Sequence, residues 1–262
     1  MLKKRIIPKF LFQFQNIQGK LLPTFVISKK FSDYKIIGSV VPQAKIFESQ
    51  LADELIILNI EDKQCSKDLE FLDFIKKFSE QIFMPLTVGG GVKTLECVEK
   101  FLNNGADKVF INSEAIINPN LIKLASKKFG SQCLVLGIDF KEIKKDKIVI
   151  FSKSGKIHTN LNLFEWIKKS QDLGVGEILL NDIDRDGTGT GLNLKIVNQI
   201  SGFLKIPLIL SGGCGLASHF VDGFKNDNID AISAATFFAQ KDQNLFQLRS
   251  HILNSGINLR QI

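Results

Sequence analysis

The stretch Val88-Gly89-Gly90-Gly91 returns 123 residues later as Ser211-Gly212-Gly213-Cys214. Two other segments repeat at the same offset: Glu54-Leu55-Ile56-Ile57 returns as Glu177-Ile178-Leu179-Leu180, and Ile111-Asn112-Ser113 as Ala234-Ala235-Thr236. The matched segments combine apolar runs with glycines or small polar residues. Three matches at one offset predict a fold of two similar halves, each carrying a similar site.

Eight short apolar runs have the pattern of buried parallel strands, at residues 5–12, 54–60, 85–88, 108–112, 133–139, 177–183, 207–211 and 231–235. Amphipathic stretches long enough for a crossover helix separate most of them, for example 68–83, 95–103 and 121–129. Eightfold alternation of strand and helix, with a twofold repeat, predicts a closed (βα)8 TIM barrel as one domain over residues 1–262. A doubly wound sheet is the alternative fold.

Composition narrows the classes of function. The net charge of +7 comes from lysines spread in pairs along predicted helices, which favours a solvated surface and an anionic substrate over nucleic acid. No segment has the pattern of a signal peptide or a membrane span, so a cytoplasmic protein is expected. The cysteines are widely scattered and predict reduced thiols, not a disulfide frame or a metal site: Cys65, Cys97, Cys133 and Cys214.

The glycine clusters predict phosphate binding. Consecutive glycines after a strand let backbone N–H groups converge on an anion, although a single cluster is equally compatible with a tight turn. Two clusters at matched positions, each followed by a strand that ends in Asn-Ser or Ala-Thr, favour a ligand with two phosphates. The predicted phosphate-binding residues are Gly89, Gly90, Gly91, Asn112, Ser113, Ser211, Gly212, Gly213, Gly215, Ala235 and Thr236.

Two aspartates are candidate catalytic residues. Asp139 ends a long apolar run, where the carboxyl end of a barrel strand places side chains in the mouth, and a carboxylate there suits acid/base chemistry. Asp186 belongs to the polar cluster 182–188 after another strand. The alternative for Asp139 is a structural role in holding a loop. A calcium loop at 182–188 is excluded because the distal glutamate is missing.

Four charged residues lie at or near strand starts, at the opposite end of the predicted barrel: Arg5, Glu54, Lys108 and Glu177. Two cations and two anions at one level could form a paired ring that closes the barrel interior. Taken singly, each could instead be an ordinary surface charge.

Together these segments resemble the cyclase subunit of imidazole glycerol phosphate synthase. The most specific are Thr87-Val88-Gly89-Gly90-Gly91-Val92, Gly105-Ala106-Asp107-Lys108-Val109 and Ile183-Asp184-Arg185-Asp186-Gly187-Thr188. The resemblance implies a barrel without cofactor or metal that forms a heterodimer with a separate glutaminase subunit. Ammonia from that partner crosses the barrel to a phosphorylated small-molecule substrate. It also implies that the four charges guard the ammonia entrance and that Asp139 is one of two catalytic aspartates.

The chain departs from this family pattern at the first strand. Leu11 stands where the family has its other catalytic aspartate, and Lys9 replaces a cysteine. Asn59 replaces an aspartate, and the lysine of the loop after the first strand has no clean counterpart. Loss of one member of an acid/base pair lowers the rate by about 10²–10⁴.

Arg5-Ile6-Ile7-Pro8 followed by Leu11 is more similar to a divergent branch of the family, associated with acetamidino-type amidation of cell-surface sugars. The preferred interpretation is therefore an enzyme subunit that supplies ammonia to such a pathway, together with a glutaminase and a sugar amidotransferase. One alternative is the histidine-pathway cyclase, which converts a bisphosphate intermediate and ammonia to imidazole glycerol phosphate and AICAR. The other is a non-catalytic scaffold that activates a glutaminase.

Overall fold

The computed structural model describes residues 3–61, 68–144, 147–240 and 244–261. In these ranges the chain forms twelve strands: β1 Arg5–Ile17, β2 Lys20–Lys29, β3 Ser32–Ser39, β4 Leu55–Asn59, β5 Leu86–Gly89, β6 Lys108–Ile111, β7 Leu134–Lys144, β8 Lys147–Ser152, β9 Ile157–His158, β10 Glu177–Asp182, β11 Leu208–Ser211 and β12 Ala231–Ala234. The helices are α1 Val40–Ser49, α2 Leu69–Ser79, α3 Leu95–Asn103, α4 Ser113–Ile117, α5 Asn120–Phe129, α6 Leu163–Asp172, α7 Leu194–Ile200, α8 Ala217–Phe224, α9 Thr236–Gln240 and α10 Leu245–Asn254.

Eight of the strands close into a parallel barrel. Their order around it is β1, β4, β5, β6, β7, β10, β11 and β12, and β12 pairs with β1 to complete the circle. Helices follow the barrel strands and pack their apolar faces on the outside of the sheet. The predicted (βα)8 TIM barrel is thus confirmed, and each of the eight predicted runs coincides with a barrel strand.

The two halves of the barrel repeat one another in detail. The carboxylate of Asp107 accepts the backbone N–H of Leu86 at 2.8 Å, and that of Asp230 accepts the N–H of Leu208 at 2.9 Å. Each aspartate thereby ties the residue before one barrel strand to the start of the previous strand. Equivalent contacts at the 123-residue offset follow from the sequence repeat and place the two glycine clusters at equivalent positions.

Two hairpins that the sequence did not predict extend the barrel at its carboxyl end. β1 runs past the barrel wall and pairs antiparallel with β2, which pairs with β3. In the same way β7 continues into an antiparallel pairing with β8 and then β9. These antiparallel strands stand around the mouth of the barrel.

The barrel interior is filled with apolar side chains between its two ends, namely Ile7, Ile56, Phe110, Val135, Leu179, Ile209 and Ala231. The Phe110 ring occupies the space beside two glycines. A Cβ atom on Gly137 would lie 2.0 Å from Phe110 Cζ, and one on Gly89 would lie 2.8 Å from Phe110 Cβ. The aromatic ring therefore fits only because both neighbours lack a side chain.

The structure contradicts the prediction of reduced thiols at one cysteine. Cys133 and Cys214 are free thiols, as predicted, but Cys97 is disulfide-bonded. Cys65 lies outside the described residues. The prediction of a reduced thiol is wrong at Cys97 because separation along the chain does not measure separation in the fold.

Among the helices that the structure describes, none combines the length and the apolar character required to cross a bilayer. The described residues also contain no cluster of three His, Cys, Asp or Glu side chains that could hold a metal ion.

Candidate active site and charge ring

Four charged side chains form a closed ring at the amino end of the barrel strands. Arg5 Nη1 lies 2.6 Å from Glu54 Oε1, and the other guanidinium nitrogen bonds Glu177. Lys108 Nζ lies 2.9 Å from Glu54 Oε2 and 3.0 Å from Glu177 Oε2. Every cation contacts both anions and every anion contacts both cations. The four charges that strand position singled out are therefore one paired structure, which we call the charge ring.

The ring residues are mostly buried, and their charged forms are stabilised by one another. Burial disfavours the charge on Glu54, but Arg5 and Lys108 outweigh it and hold the pKa of that carboxyl below its usual value. Burial likewise opposes the charge on Arg5, and the two glutamates outweigh it and raise the pKa of the guanidinium. The ion pairs thus outweigh the effect of burial at both Glu54 and Arg5.

The mouth at the opposite end contains a cavity of about 360 Å³. Gly90 and Gly91 line one side with φ angles of +113° and +65°, in the left-handed region that favours glycine. A Cβ on Gly90 would also lie 2.3 Å from the carbonyl oxygen of Asn59. Asn112 and Ser113 line the same cavity, and we call these four, Gly90, Gly91, Asn112 and Ser113, the first cradle.

Lysines add positive charge around the first cradle. Lys93, Lys153 and Lys156 line the cavity with it, and the backbone N–H of Lys153 donates to Ser113 Oγ at 2.8 Å. Aromatic side chains of the β2–β3 hairpin, Phe31 and Tyr34, form another part of the wall. The cavity therefore combines cationic and aromatic surfaces, and it can accept an anionic group joined to a flat ring.

Asp139 stands in the wall of this cavity and is 7% exposed. Asn112 Nδ2 donates to its Oδ2 at 2.6 Å, and Asn181 Nδ2 donates to its Oδ1 at 3.4 Å. Burial raises the pKa of Asp139 to about 6, even though Asn112, the nearby charge of Lys9 and Asn181 act to lower it. A carboxyl that titrates near neutral pH can both accept and donate a proton under working conditions.

A second, smaller cavity lies beside the second glycine cluster. It is lined by the residues we call the second cradle: Ser211, Gly212, Gly213, Ala235 and Thr236. Gly212 and Gly213 have φ angles of +94° and +104°. Asp186 lines this cavity, and its Oδ2 accepts a hydrogen bond from Ser28 Oγ at 3.0 Å. Burial raises the pKa of Asp186, while Lys9 and Ser28 partly oppose the rise.

The structure therefore brings the predicted mouth residues into two neighbouring groups. Asp139 lies with the first cradle and Asp186 with the second, so the two aspartates face different cavities. Gly89 and Gly215 line neither of these cavities. Gly89 instead makes room for Phe110, and the backbone N–H of Gly215 donates to His219 Nδ1 at 3.1 Å.

The departures on the first strand are also in the mouth. Leu11 lines the first cavity together with Asp139, so an apolar side chain stands near the end of the part of β1 that belongs to the barrel. Asn59 lines this cavity too, and its Oδ1 accepts the backbone N–H of Glu61 at 3.0 Å.

Three polar residues of the mouth were not predicted from the sequence. Ser28 comes from the unpredicted hairpin, so no strand pattern pointed to it. Asn181 and Ser233 line the two cavities from β10 and β12; Asn181 lies one residue before the predicted cluster 182–188, and Ser233 lies two residues before Ala235. Alternation along each strand could have identified both, because it places every second residue on the inner face.

Comparison with known proteins agrees with this geometry. The model of the histidine biosynthesis protein family matches residues 21–243. A Prochlorococcus marinus (strain MIT 9313) protein with the provisional name imidazole glycerol phosphate synthase subunit hisF2 is 44% identical over 260 residues, 99% of each chain. Imidazole glycerol phosphate synthase subunits HisF of Hydrogenobaculum sp. (strain Y04AAS1) and Clostridium botulinum (strain Okra / Type B1) are each 38% identical, covering 99% of this chain and all of theirs. The chain thus belongs to the HisF family of imidazole glycerol phosphate synthase subunits.

Proposed function

We propose that this chain is the synthase subunit of a glutamine-dependent enzyme, which receives ammonia at the charge ring and uses it on a phosphorylated substrate in the mouth. The observation that carries the proposal is the position of the ring. It closes the end of the barrel interior opposite Asp139, and an apolar layer that includes Ile56 and Val135 lies between them. Buried ion pairs add little net stability, so a complete ring at this position is better explained by a role in controlling passage.

The source of ammonia in this proposal is a separate glutaminase subunit that forms a heterodimer on the ring end. Phe83 is 84% exposed in the connection that enters β5, and Leu51 is exposed in the connection that enters β4. Both connections lie at the ring end of the barrel. Exposed apolar side chains there suit a protein interface, and the names of the relatives describe subunits of a synthase. A cytoplasmic location belongs to the same proposal.

Asp139 is the proposed acid/base residue, and Asp186 polarises the ligand from the second cavity. The two glycine cradles hold the phosphates through backbone N–H groups. Asp139 then takes a proton from, or returns one to, the substrate atoms that react with ammonia. Its pKa of about 6 supports both directions of transfer near neutral pH.

Amidation of a cell-surface sugar, with a sugar amidotransferase as a further partner, is a second candidate pathway. One observation favours it: Leu11 occupies the mouth wall, and a leucine can neither accept nor donate a proton. The names of the relatives reported above refer instead to imidazole glycerol phosphate synthase. The histidine-pathway reaction, carried by Asp139 without a second aspartate on β1, is therefore the first activity to test.

The test supplies the purified chain with ammonium salt at high pH and the histidine-pathway bisphosphate intermediate, and follows the loss of absorbance of the intermediate. We expect slow turnover that Asp139→Asn lowers by a further factor of about 10²–10⁴. Leu11→Asp places a carboxylate on β1 and should raise the rate by about 10²-fold or more. Leu69→Asp is the matched control, because Leu69 is 73% exposed on α2, away from the mouth.

Three outcomes separate the candidates. Turnover that depends on Asp139 supports the cyclase. Binding of the intermediate without turnover, even in Leu11→Asp, favours the sugar pathway. A chain that binds no phosphorylated ligand, yet still raises the activity of its glutaminase, is a scaffold and overturns the proposal.

A further inference from the structure

Lys9 is a buried cation at the centre of the mouth. It lies on β1, is 4% exposed, and is the one residue that lines both described cavities. Its Nζ donates to Ser211 Oγ at 3.0 Å and to Asn181 Oδ1 at 3.4 Å. A lysine ammonium is costly to bury unless its charge and its three donors find partners.

The neighbours of Lys9 provide partners for only some of its three hydrogen-bond donors. Within the described ranges it makes only these two hydrogen bonds, one of them long, and forms no ion pair with a carboxylate. Asp139 and Asp186 feel its charge, since Lys9 lowers the pKa of each carboxyl against the effect of burial. The Lys9 ammonium group is therefore placed to donate a hydrogen bond to a further, anionic partner.

Ser233 supplies a second, independent sign of a missing partner. Its side chain is fully buried, its Oγ makes no hydrogen bond to any described residue, and it lines the second cavity together with Lys9 and Ser211. A buried hydroxyl without a hydrogen-bond partner is unfavourable, so Ser233 Oγ has an unused donor at the second cavity. The cavity measures about 10 Å³, close to the space that one water molecule or one oxygen atom of a larger group requires.

We propose that Lys9 and Ser233 form a side-chain subsite that binds one oxygen of a phosphate seated on the second cradle. The inference rests on the proposed function in so far as it takes the glycine clusters to be phosphate sites. The backbone of Gly212 and Gly213 holds the phosphate from the loop side. Lys9 Nζ and Ser233 Oγ donate to the innermost oxygen from the barrel side.

The proposal gives the two ends of the ligand different environments. The lysines around the first cradle, Lys93, Lys153 and Lys156, lie at the wall of the first cavity. Lys9 lines both cavities, but its Nζ donates to Ser211 of the second cradle. A charge-assisted hydrogen bond in a water-excluded site is stronger than one at an exposed rim. The second cradle should therefore bind a phosphate group more tightly than the first.

The test uses crystals of the full-length chain soaked in a series of inorganic phosphate concentrations, with the occupancy refined separately at each cradle. Lys9→Met should weaken phosphate binding at the second cradle by roughly 10- to 100-fold and change the first by less than threefold. Ser233→Ala should weaken only the second cradle, by about threefold to tenfold. Lys225→Met is the matched control, because it removes the same charge from an exposed position just after the last residue of α8.

Equal weakening at both cradles, or no change at the second, would overturn the subsite. Wild-type crystals that bind phosphate at neither cradle would instead overturn the proposed function. If Lys9→Met does not fold, Ser233→Ala alone decides the question: an unchanged second cradle removes Ser233 from the site and refutes the pair.

Discussion

Replacing Asp139 by asparagine should stabilise the protein in a pH-dependent way. Burial raises the pKa of this carboxyl from its ordinary value of 3.8 to about 6 in the folded chain. Between those two values the folded state binds more protons than the unfolded state, so the free energy of unfolding falls as the pH rises. The gap between 3.8 and about 6 corresponds to about 3 kcal/mol.

The asparagine variant lacks this loss because an amide does not ionise. Its stability relative to wild type should therefore rise between pH 4 and pH 6.5 by up to about 3 kcal/mol, and then stay level. The new amide can also keep a hydrogen bond with Asn112. The Oδ1 of Asn112 is buried without a partner, so a rotated Asn112 amide can accept the added N–H group.

Urea denaturation of both proteins at several pH values between 4 and 8, followed through the buried Trp166, measures the difference. Asp73→Asn serves as the control, because Asp73 is exposed on α2 in an ion pair with Lys77 and should change stability by at most about 0.5 kcal/mol. A difference between wild type and Asp139→Asn that is the same at pH 4.5 and pH 7.5 would refute the argument from burial. Activity should fall by about 10²–10⁴ despite the gain in stability.

Three further substitutions test other parts of the structure. Glu177→Ala leaves the two cations of the charge ring with one anion, so denaturation in guanidinium chloride should show a loss of about 3 kcal/mol in the free energy of unfolding. In the complex with the glutaminase, the ratio of glutamine hydrolysed to product formed should also rise. An unchanged ratio would contradict a controlled ammonia route. Phe110→Ala should lower the free energy of unfolding by about 3–5 kcal/mol and open an apolar cavity that binds xenon in crystals. A loss below about 1 kcal/mol would show that the Phe110 side chain does not fill the barrel interior. Gly90→Ala should abolish phosphate binding at the first cradle, because the added Cβ meets a backbone carbonyl oxygen at 2.3 Å, whereas Gly202→Ala, with nothing within 4 Å, should leave binding intact.

The barrel could be predicted from the sequence because its strands are buried on both faces and read as continuous apolar runs. The 123-residue repeat then fixed the equivalence of the two halves. The charge ring could also be predicted as a set, because four strand starts carry charges of alternating sign. Which atoms of each cation and anion meet could not be predicted, since these contacts depend on how far the strands are staggered around the barrel.

The mouth could be predicted only in part. The glycine clusters and Asp139 mark strand ends that the apolar pattern defines, so they were found. The β2–β3 hairpin was missed because its outer residues are exposed on both faces and give little alternation, as at Leu21, Leu22 and Ile36. Lys9 was noticed as a departure on β1, but its contacts to Ser211 and Asn181 join three strands far apart in the sequence.

The fit between Phe110 and Gly137 also constrains the order in which such a barrel could have acquired its interior. With any side chain at position 137, a phenylalanine at 110 has no room, because even a single methyl carbon would come within 2.0 Å of the ring. Glycine at 137 must therefore have been present before the aromatic ring arrived, or have appeared with it. Once the aromatic side chain is in place, a side chain can enter at 137 only after Phe110 has been lost, so the two positions change in a fixed order. A variant of this chain with a side chain at 137 would therefore need a residue smaller than phenylalanine at 110.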